Sequence, residues 1–425
     1  MNITPGQKLA ALTLNDVSAL DAADPLAHKR AAFMVPDHLI YLDGNSLGCL
    51  PVAAQQRALD VISTQWGQDL IKSWNQHDWI GLPQLTGEKI ARLIGAAPGQ
   101  TISCDSISVN LFKVLGAALS LQPGRSVVLS QRDNFPTDLY MVQGLSTLMG
   151  SRSCELRMVG AEALEDQLDE SVAVLMLTHV NFRSASVHDM QRLTRLAHDK
   201  GVLVIWDLAH SAGVLPLQLD SWEVDFAVGC TYKYLNAGPG APAFLYVAQK
   251  HLAQVQQPLS GWMGHQTPFE FSPTYHGASG IKKFLTGTPS VIAMSVLDAA
   301  LDVFNDVDIQ EVYDKAGALA QLFVELATQT PALSALTLVS PVAPSQRGAQ
   351  LAWQHPQAYA ICQALIARGV IGDFRAPDVL RLGFSPLYLR YQDVWHSVRI
   401  LAEIMEQQHY LEPQYQREVQ RGPVT

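Results

Sequence analysis

With 425 residues, 48% of them hydrophobic and 16% charged, the chain has apolar material for more than one core, so two domains are expected. A net charge of −10 with no Lys/Arg run excludes the basic footprint of a nucleic-acid binder, and no apolar run nears the roughly 20 residues of a membrane span. The five cysteines, Cys49, Cys104, Cys154, Cys230 and Cys362, form no C-x-x-C pair, which argues against a zinc framework and for a reducing compartment, the cytoplasm.

The opening stretch MNITPGQKLAALTLNDVSAL lacks a basic start before an apolar core, so no signal peptide is read there. Residues 1–50 are expected to pack on a small domain, 51–290 to form a large domain and 291–425 the smaller one. Near-continuous apolar runs at 126–130, 172–178, 202–206, 225–229 and 243–247 fit strands buried on both faces. Helical patterns lie between them at 136–150 and 187–201. The second carries Leu193 and Leu196 on one stripe, with Gly201 placed to cap its end. This alternation predicts an α/β fold with a mostly parallel sheet flanked by helices. After residue 290 the pattern changes to a long helical stretch, Ser290 to Thr328, followed by short strands in LTLVSP, AQLAWQ, VIGDFR and VLRLGF. Helices around 356–368 and 390–410 complete a smaller C-terminal α+β domain.

In open α/β sheets ligands bind beyond the carboxyl ends of the strands, and several chemistry-bearing residues follow apolar runs directly. Asp207 ends VLVIWD, with His210 three residues on. A carboxylate there can hold a protonated ring nitrogen of a cofactor, with His210 beside the ring; a helix N-cap is the competing reading. Lys233 follows the next strand. A solvated surface lysine is the ordinary case, but paired with Asp207 at one sheet rim its amine suits a Schiff base with a cofactor aldehyde. The two together suggest a pyridoxal phosphate site. Ser106 and Ser108 precede and open an apolar helix, where hydroxyls and free N–H groups bind phosphate or simply cap. Tyr232 offers another hydroxyl. In DNFPTDLY, Phe135 can stack on a ring or pack in the core, and Asp138 lies close behind. Gly238, Gly240 and Ala243 spell G-x-G-x-x-A, but before a strand. That order excludes a dinucleotide fingerprint and leaves a tight turn giving backbone clearance. Arg375 and Arg381 fall near late strand ends, as carboxylate forks or as surface charges.

These segments together resemble a known family. YLDGNSLG, SVNLF, FPTD, DLAHSAG, VDFAVGCTYKYLNAGPG, GWMGH and LTGTPSV, in that order, resemble the kynureninases. These are type I, aspartate-aminotransferase-like, pyridoxal phosphate enzymes. The resemblance spans nearly the whole chain. It implies hydrolysis of L-kynurenine, or also 3-hydroxykynurenine, to anthranilate and L-alanine in tryptophan catabolism. Lys233 would be the Schiff-base lysine, Asp207 the partner of the pyridinium nitrogen, and His210 its neighbour. Phe135 would stack on the ring, with Pro136, Thr137 and Asp138 alongside and Thr178 facing it. Ile107, Ser108 and Tyr232 would hold the phosphate, Tyr232 also relaying a proton. Trp262 and Thr288 would serve a neighbouring subunit's site in a homodimer. Arg381 would hold the substrate carboxylate, with Arg375 assisting, and Trp74 with Thr288 would favour kynurenine over its 3-hydroxy form. No metal is implied. The rival readings are a cysteine desulfurase-like lyase of the same fold, for which Cys362 sits in an apolar helical pattern rather than a loop, and a non-catalytic binding protein.

Overall fold

The computed structural model describes residues 12–416; up to residue 11, the stretch read for a signal peptide lies outside them. The chain divides into two compact units. One spans 50–182 and 187–306. The other holds the described residues up to Cys49, Arg183–Ser186 and those from Val307 on.

The first of these units is built on a seven-stranded sheet. Its strands are β1 (Thr101–Ser103), β2 (Val127–Gln131), β3 (Glu155–Val159), β4 (Val172–Thr178), β5 (Leu203–Asp207), β6 (Phe226–Gly229) and β7 (Phe244–Val247), in the order β1-β7-β6-β5-β4-β2-β3. All run parallel except β7, which opposes both of its neighbours. The path from β6 to β7 contains no helix, and antiparallel neighbours need no helical crossover. Every residue of β4, β6 and β7 is buried, as expected for strands covered on both faces.

Three helices carry the crossovers that matter for function: α1 (Ile107–Ser120), α2 (Pro136–Met149) and α3 (Met190–Asp199). α2 starts with Pro136, whose fixed φ suits the first helical position. α3 is followed by Gly201 at φ +67°, the left-handed residue that ends a helix. In the glycine-rich turn between β6 and β7, Gly238 (φ +89°) and Gly240 (φ +68°) face open space. The expected clearance is thus corrected: glycine is needed there for its backbone angle, not for room.

The second unit carries a four-stranded antiparallel sheet ordered Asp373–Arg375, Val379–Gly383, Gln350–Gln354, Thr337–Leu338. Ile40–Tyr41 pairs in parallel with Val370–Ile371. The long helix expected from Ser290 is interrupted. Val291–Leu301 belongs to the unit with the seven-stranded sheet, and a new helix, Ile309–Gln329, begins in the other. Asp308 starts it by accepting the N–H of Gln310 at 2.8 Å, a cap that outweighs continuous helical periodicity.

Candidate active site

The parallel strands bring their last residues to one rim. Thr178 ends β4 and pairs in register with Asp207, which ends β5 and pairs with Val228 of β6. Four residues beyond β6, Lys233 returns over the same rim, its Nζ 2.9 Å from His210 Nε2. The amine stands 6.0 Å from the centroid of Phe135 and 5.9 Å from that of Tyr232. Asp207 accepts the N–H of Ala209 at 2.8 Å. No helix follows it, so its carboxyl closes a turn rather than capping a helix.

A second carboxyl shares the rim. Asp138, in the first turn of α2, is buried and accepts from Thr178 Oγ1 at 3.3 Å and Asn134 Nδ2 at 3.2 Å. Asn134 Oδ1 in turn accepts the Thr178 N–H at 2.8 Å. Burial, then the charge of Asp207, pushes the Asp138 carboxyl well above the ordinary carboxylate range. Burial also raises Asp207, opposed by the Ala209 bond and the charge of Lys233. Burial thus works against the charge of both carboxyls. Asp138 Oδ1 has no hydrogen-bond partner, which is costly for a buried polar atom. A protonated ring nitrogen would relieve both strains. The half-exposed ring of Phe135, which meets Phe182 edge-on at 5.3 Å, offers it a stacking face.

Beside this rim lies a cavity of about 420 Å³ whose wall includes Ser106, Ile107, Ser108, Tyr232 and Thr288. Ser106 is the N-cap of α1, its Oγ 3.4 Å from the Val109 N–H. The first-turn N–H groups of such a helix lack intrahelical partners and face an anion favourably. The charge of the Cys230 sulfur, then burial, pushes the Tyr232 phenol above its ordinary range, so it remains a proton donor at neutral pH. The donor set of this cavity and the two carboxyls fit the phosphate and the pyridine ring of pyridoxal phosphate. Lys233 would hold its aldehyde carbon.

Thr288, expected at a neighbouring subunit's site, lines the cavity of its own chain. Just before Trp262, a Cβ on Gly261 would clash with the Thr286 carbonyl oxygen, so only glycine fits there. Trp262 itself is exposed and clusters with Phe269 and Phe271. Trp74 does not line the cavity. It packs edge-on against Trp79 at 5.8 Å, whose Nε1–H donates to Gln65 Oε1 at 2.8 Å.

In the other unit Arg381 is buried. Its Nε donates to Asp373 Oδ1 and its Nη2 to Ser46 Oγ, both at 2.9 Å. Arg375 Nη2 approaches Asp373 Oδ2 at 2.8 Å. Burial, then the charge of Asp373, pushes Asp43 up to about 8. Cys362 is buried in the helix Ala358–Ala367, its Sγ 3.5 Å from the Gly372 carbonyl oxygen, and burial raises its thiol. A thiol so placed does not suit the mobile nucleophile of a desulfurase. Among the described residues no cluster of three or more His, Cys, Asp or Glu could hold a metal ion.

Sequence reasoning passed over two residues of this rim. Asn134 carried no signal beyond standing before FPTD. Lys113 did carry one, as the only charged residue in the apolar helix α1.

Residues 312–401 match the family model of the kynureninase C-terminal domain. Kynureninase of Burkholderia pseudomallei strain 1106a is 48% identical over 408 residues, 95% of this chain and 98% of that protein. Kynureninase of Pseudomonas fluorescens is 46% identical over 409 residues, with the same coverage of both. Among solved structures, a C-DES variant with glycine covalently linked to its PLP cofactor superposes with a TM-score of 0.77 at 20% identity, over 88% of this chain and 99% of its own. The cysteine desulfurase of Thermococcus onnurineus NA1 gives 0.76 at 15% identity, over 89% and 98%. At such identities the solved structures speak for the fold alone, the type I fold of pyridoxal phosphate enzymes.

Proposed function

The chain belongs to the kynureninase family, and from that premise we propose how its own residues divide the work. The protein is a pyridoxal phosphate-dependent hydrolase that converts L-kynurenine and water to anthranilate and L-alanine. When bound, the cofactor supplies the electron sink that lets the substrate's α- and β-carbons carry negative charge.

The single observation that carries the assignment of roles is the convergence of Asp207, Asp138, His210 and Lys233 on one sheet rim beside the Tyr232 cavity. Asp207 would keep the ring nitrogen protonated, and Asp138, its carboxyl pushed up by burial and by the charge of Asp207, would lie beside it. Lys233 anchors the cofactor at rest. Its amine would also be the base that takes the substrate's α-proton. His210, 2.9 Å from that amine, orients it. The bond broken joins the β-carbon to the γ-carbonyl. Water supplies the hydroxyl that leaves with anthranilate, and Tyr232 supplies the proton to the departing β-carbon. Ile107 and Ser108 hold the phosphate, and Phe135 covers the ring with Pro136, Thr137 and Thr178 around it.

Arg381, with Arg375 assisting, is assigned to the substrate carboxylate by the resemblance to the family, an arginine fork matching a carboxylate. Trp74 and Thr288 favour kynurenine over 3-hydroxykynurenine, because a bulky indole packs well on an unsubstituted ring and poorly accommodates a further hydroxyl. A lower kcat/KM for kynurenine than for the 3-hydroxy form would end that preference. The enzyme works as a homodimer, with Trp262 near the neighbouring subunit's site. The exposed cluster of Trp262, Phe269 and Phe271 supports an interface there. Five cysteines without a disulfide support a cytoplasmic setting, and no described helix is long and apolar enough to cross a membrane.

The test is optical. Purified protein given pyridoxal phosphate should show an absorbance band near ~420 nm from the lysine-bound cofactor, and kynurenine should then produce blue anthranilate fluorescence. A protein that shows the band and leaves kynurenine intact would overturn the reaction; one with no band would overturn the site.

A further inference from the structure

Lys113 has no part in the reaction just described, yet its side chain is fully buried. An ammonium out of water is costly unless paired. A well-packed apolar side chain could fill the same space without loss of stability, so the need to fold does not account for the charge. Its Nζ donates to Asp105 Oδ2 and to the Phe284 carbonyl oxygen, both at 2.5 Å. It therefore ties the loop entering α1 to the segment that leads to Thr288. Asp105 stands in the left-handed region at φ +46°. Its partly exposed carboxylate lines the same cavity as Ser106, Ser108, Tyr232 and Thr288. A bare carboxylate on that wall would repel a phosphate dianion.

We propose that Lys113 is a positioning residue for the cofactor phosphate, neutralising Asp105 and holding it against the wall so that the cavity accepts a phosphorylated ligand. The inference rests on reading this cavity as the phosphate site. It accounts for a buried charge on an apolar helix, for the side of α1 that it occupies, and for an acidic residue beside an anion site.

The experiment compares binding of pyridoxal phosphate and of pyridoxal, which lacks the phosphate, to cofactor-free protein. Absorbance titration would be run on the wild type, K113M, D105N and K113M/D105N. K113M should bind pyridoxal phosphate about tenfold or more weakly, the loss of one charge-assisted pairing, while pyridoxal binding stays within about twofold. The double variant should recover most of the lost affinity, because removing the carboxylate removes the need for its neutraliser. Equal weakening for both ligands in K113M, or no recovery in the double variant, would overturn the proposal. Should K113M fail to fold by circular dichroism, D105N decides alone. With Lys113 retained it should prefer pyridoxal phosphate over pyridoxal at least as strongly as the wild type, and a weaker preference overturns the role. A wild-type protein that does not distinguish the two ligands would instead overturn the phosphate site itself.

Discussion

At Asp207 a single carboxyl is asked to stay ionised while nearly out of contact with water. Burial raises it, and the Lys233 ammonium and the Ala209 N–H pull it back. A ring cation in its place would complete the pairing. Asp207→Asn keeps the shape and removes the charge, so the ring nitrogen loses its reason to stay protonated. We expect kcat to fall by about 10²-fold or more, the scale of a lost electrostatic stabiliser, with KM changed little. Unchanged kcat would show that the carboxylate is not the sink's partner. Tyr232→Phe tests the proton donor in the same way: kcat should drop about 10²-fold while the absorbance band of the bound cofactor persists, and full turnover would remove Tyr232 from that role. At this scale the sequence was informative where spacing carried meaning. Asp207 ends one strand and Lys233 follows shortly after the end of the next, so their meeting was legible. The pairing of Asp138 with Asp207 was not, because it depends on how far α2 leans over the rim.

Three elements are fastened by one buried side chain, Asp225, just ahead of β6. Its carboxylate meets His198 Nε2 of α3 at 2.7 Å, Lys250 Nζ at 2.7 Å and His251 Nε2 at 2.8 Å. It also accepts the Val204 N–H of β5 at 2.9 Å. Burial opposes its ionisation, but the bonds from His198 and His251, the charge of His198 and the Lys250 ammonium outweigh burial and hold it below the usual range. A carboxyl lowered by folding stabilises the protein above its unfolded value of about 3.9 and loses that contribution as pH falls through the folded value. Asp225→Asn should therefore cost about 2–3 kcal/mol at pH 7, at the low end for a broken buried pair because the histidines and Lys250 keep contact with water. Its unfolding temperature should also depend less steeply on pH below about 4 than that of the wild type. Parallel thermal melts from pH 7 to pH 3 measure both effects, and identical slopes for the two proteins would refute the linkage. Elements with uniform burial were legible in the sequence. β1, only three residues long, and β3, an edge strand with a partly exposed pattern, were not, since neither carries a continuous apolar run.

For the whole molecule the open matter is assembly. If Trp262 serves the neighbouring subunit's site, Lys233→Ala and Trp262→Ala should each be poorly active alone and should complement when unfolded and refolded together. A mixed dimer then holds one complete site, and random pairing gives about a quarter of wild-type activity. Mixtures no better than the average of the two variants would place Trp262 in its own chain's site. The sequence by itself determined the strand–helix alternation, the parallel sheet, and the order in which the lysine and the aspartate reach the strand ends, because burial on both faces and the right-handed crossover leave few alternatives. Only the tertiary structure decided that Asp138 comes to lie against Asp207, that Lys113 crosses from a helix to neutralise Asp105, and that Thr288 lines the cavity of its own chain. Asp138 and Asp207, and Lys113 and the Phe284 carbonyl it also binds, lie far apart in the chain, and the energies of such contacts depend on distance and on exclusion of water, which no local pattern encodes.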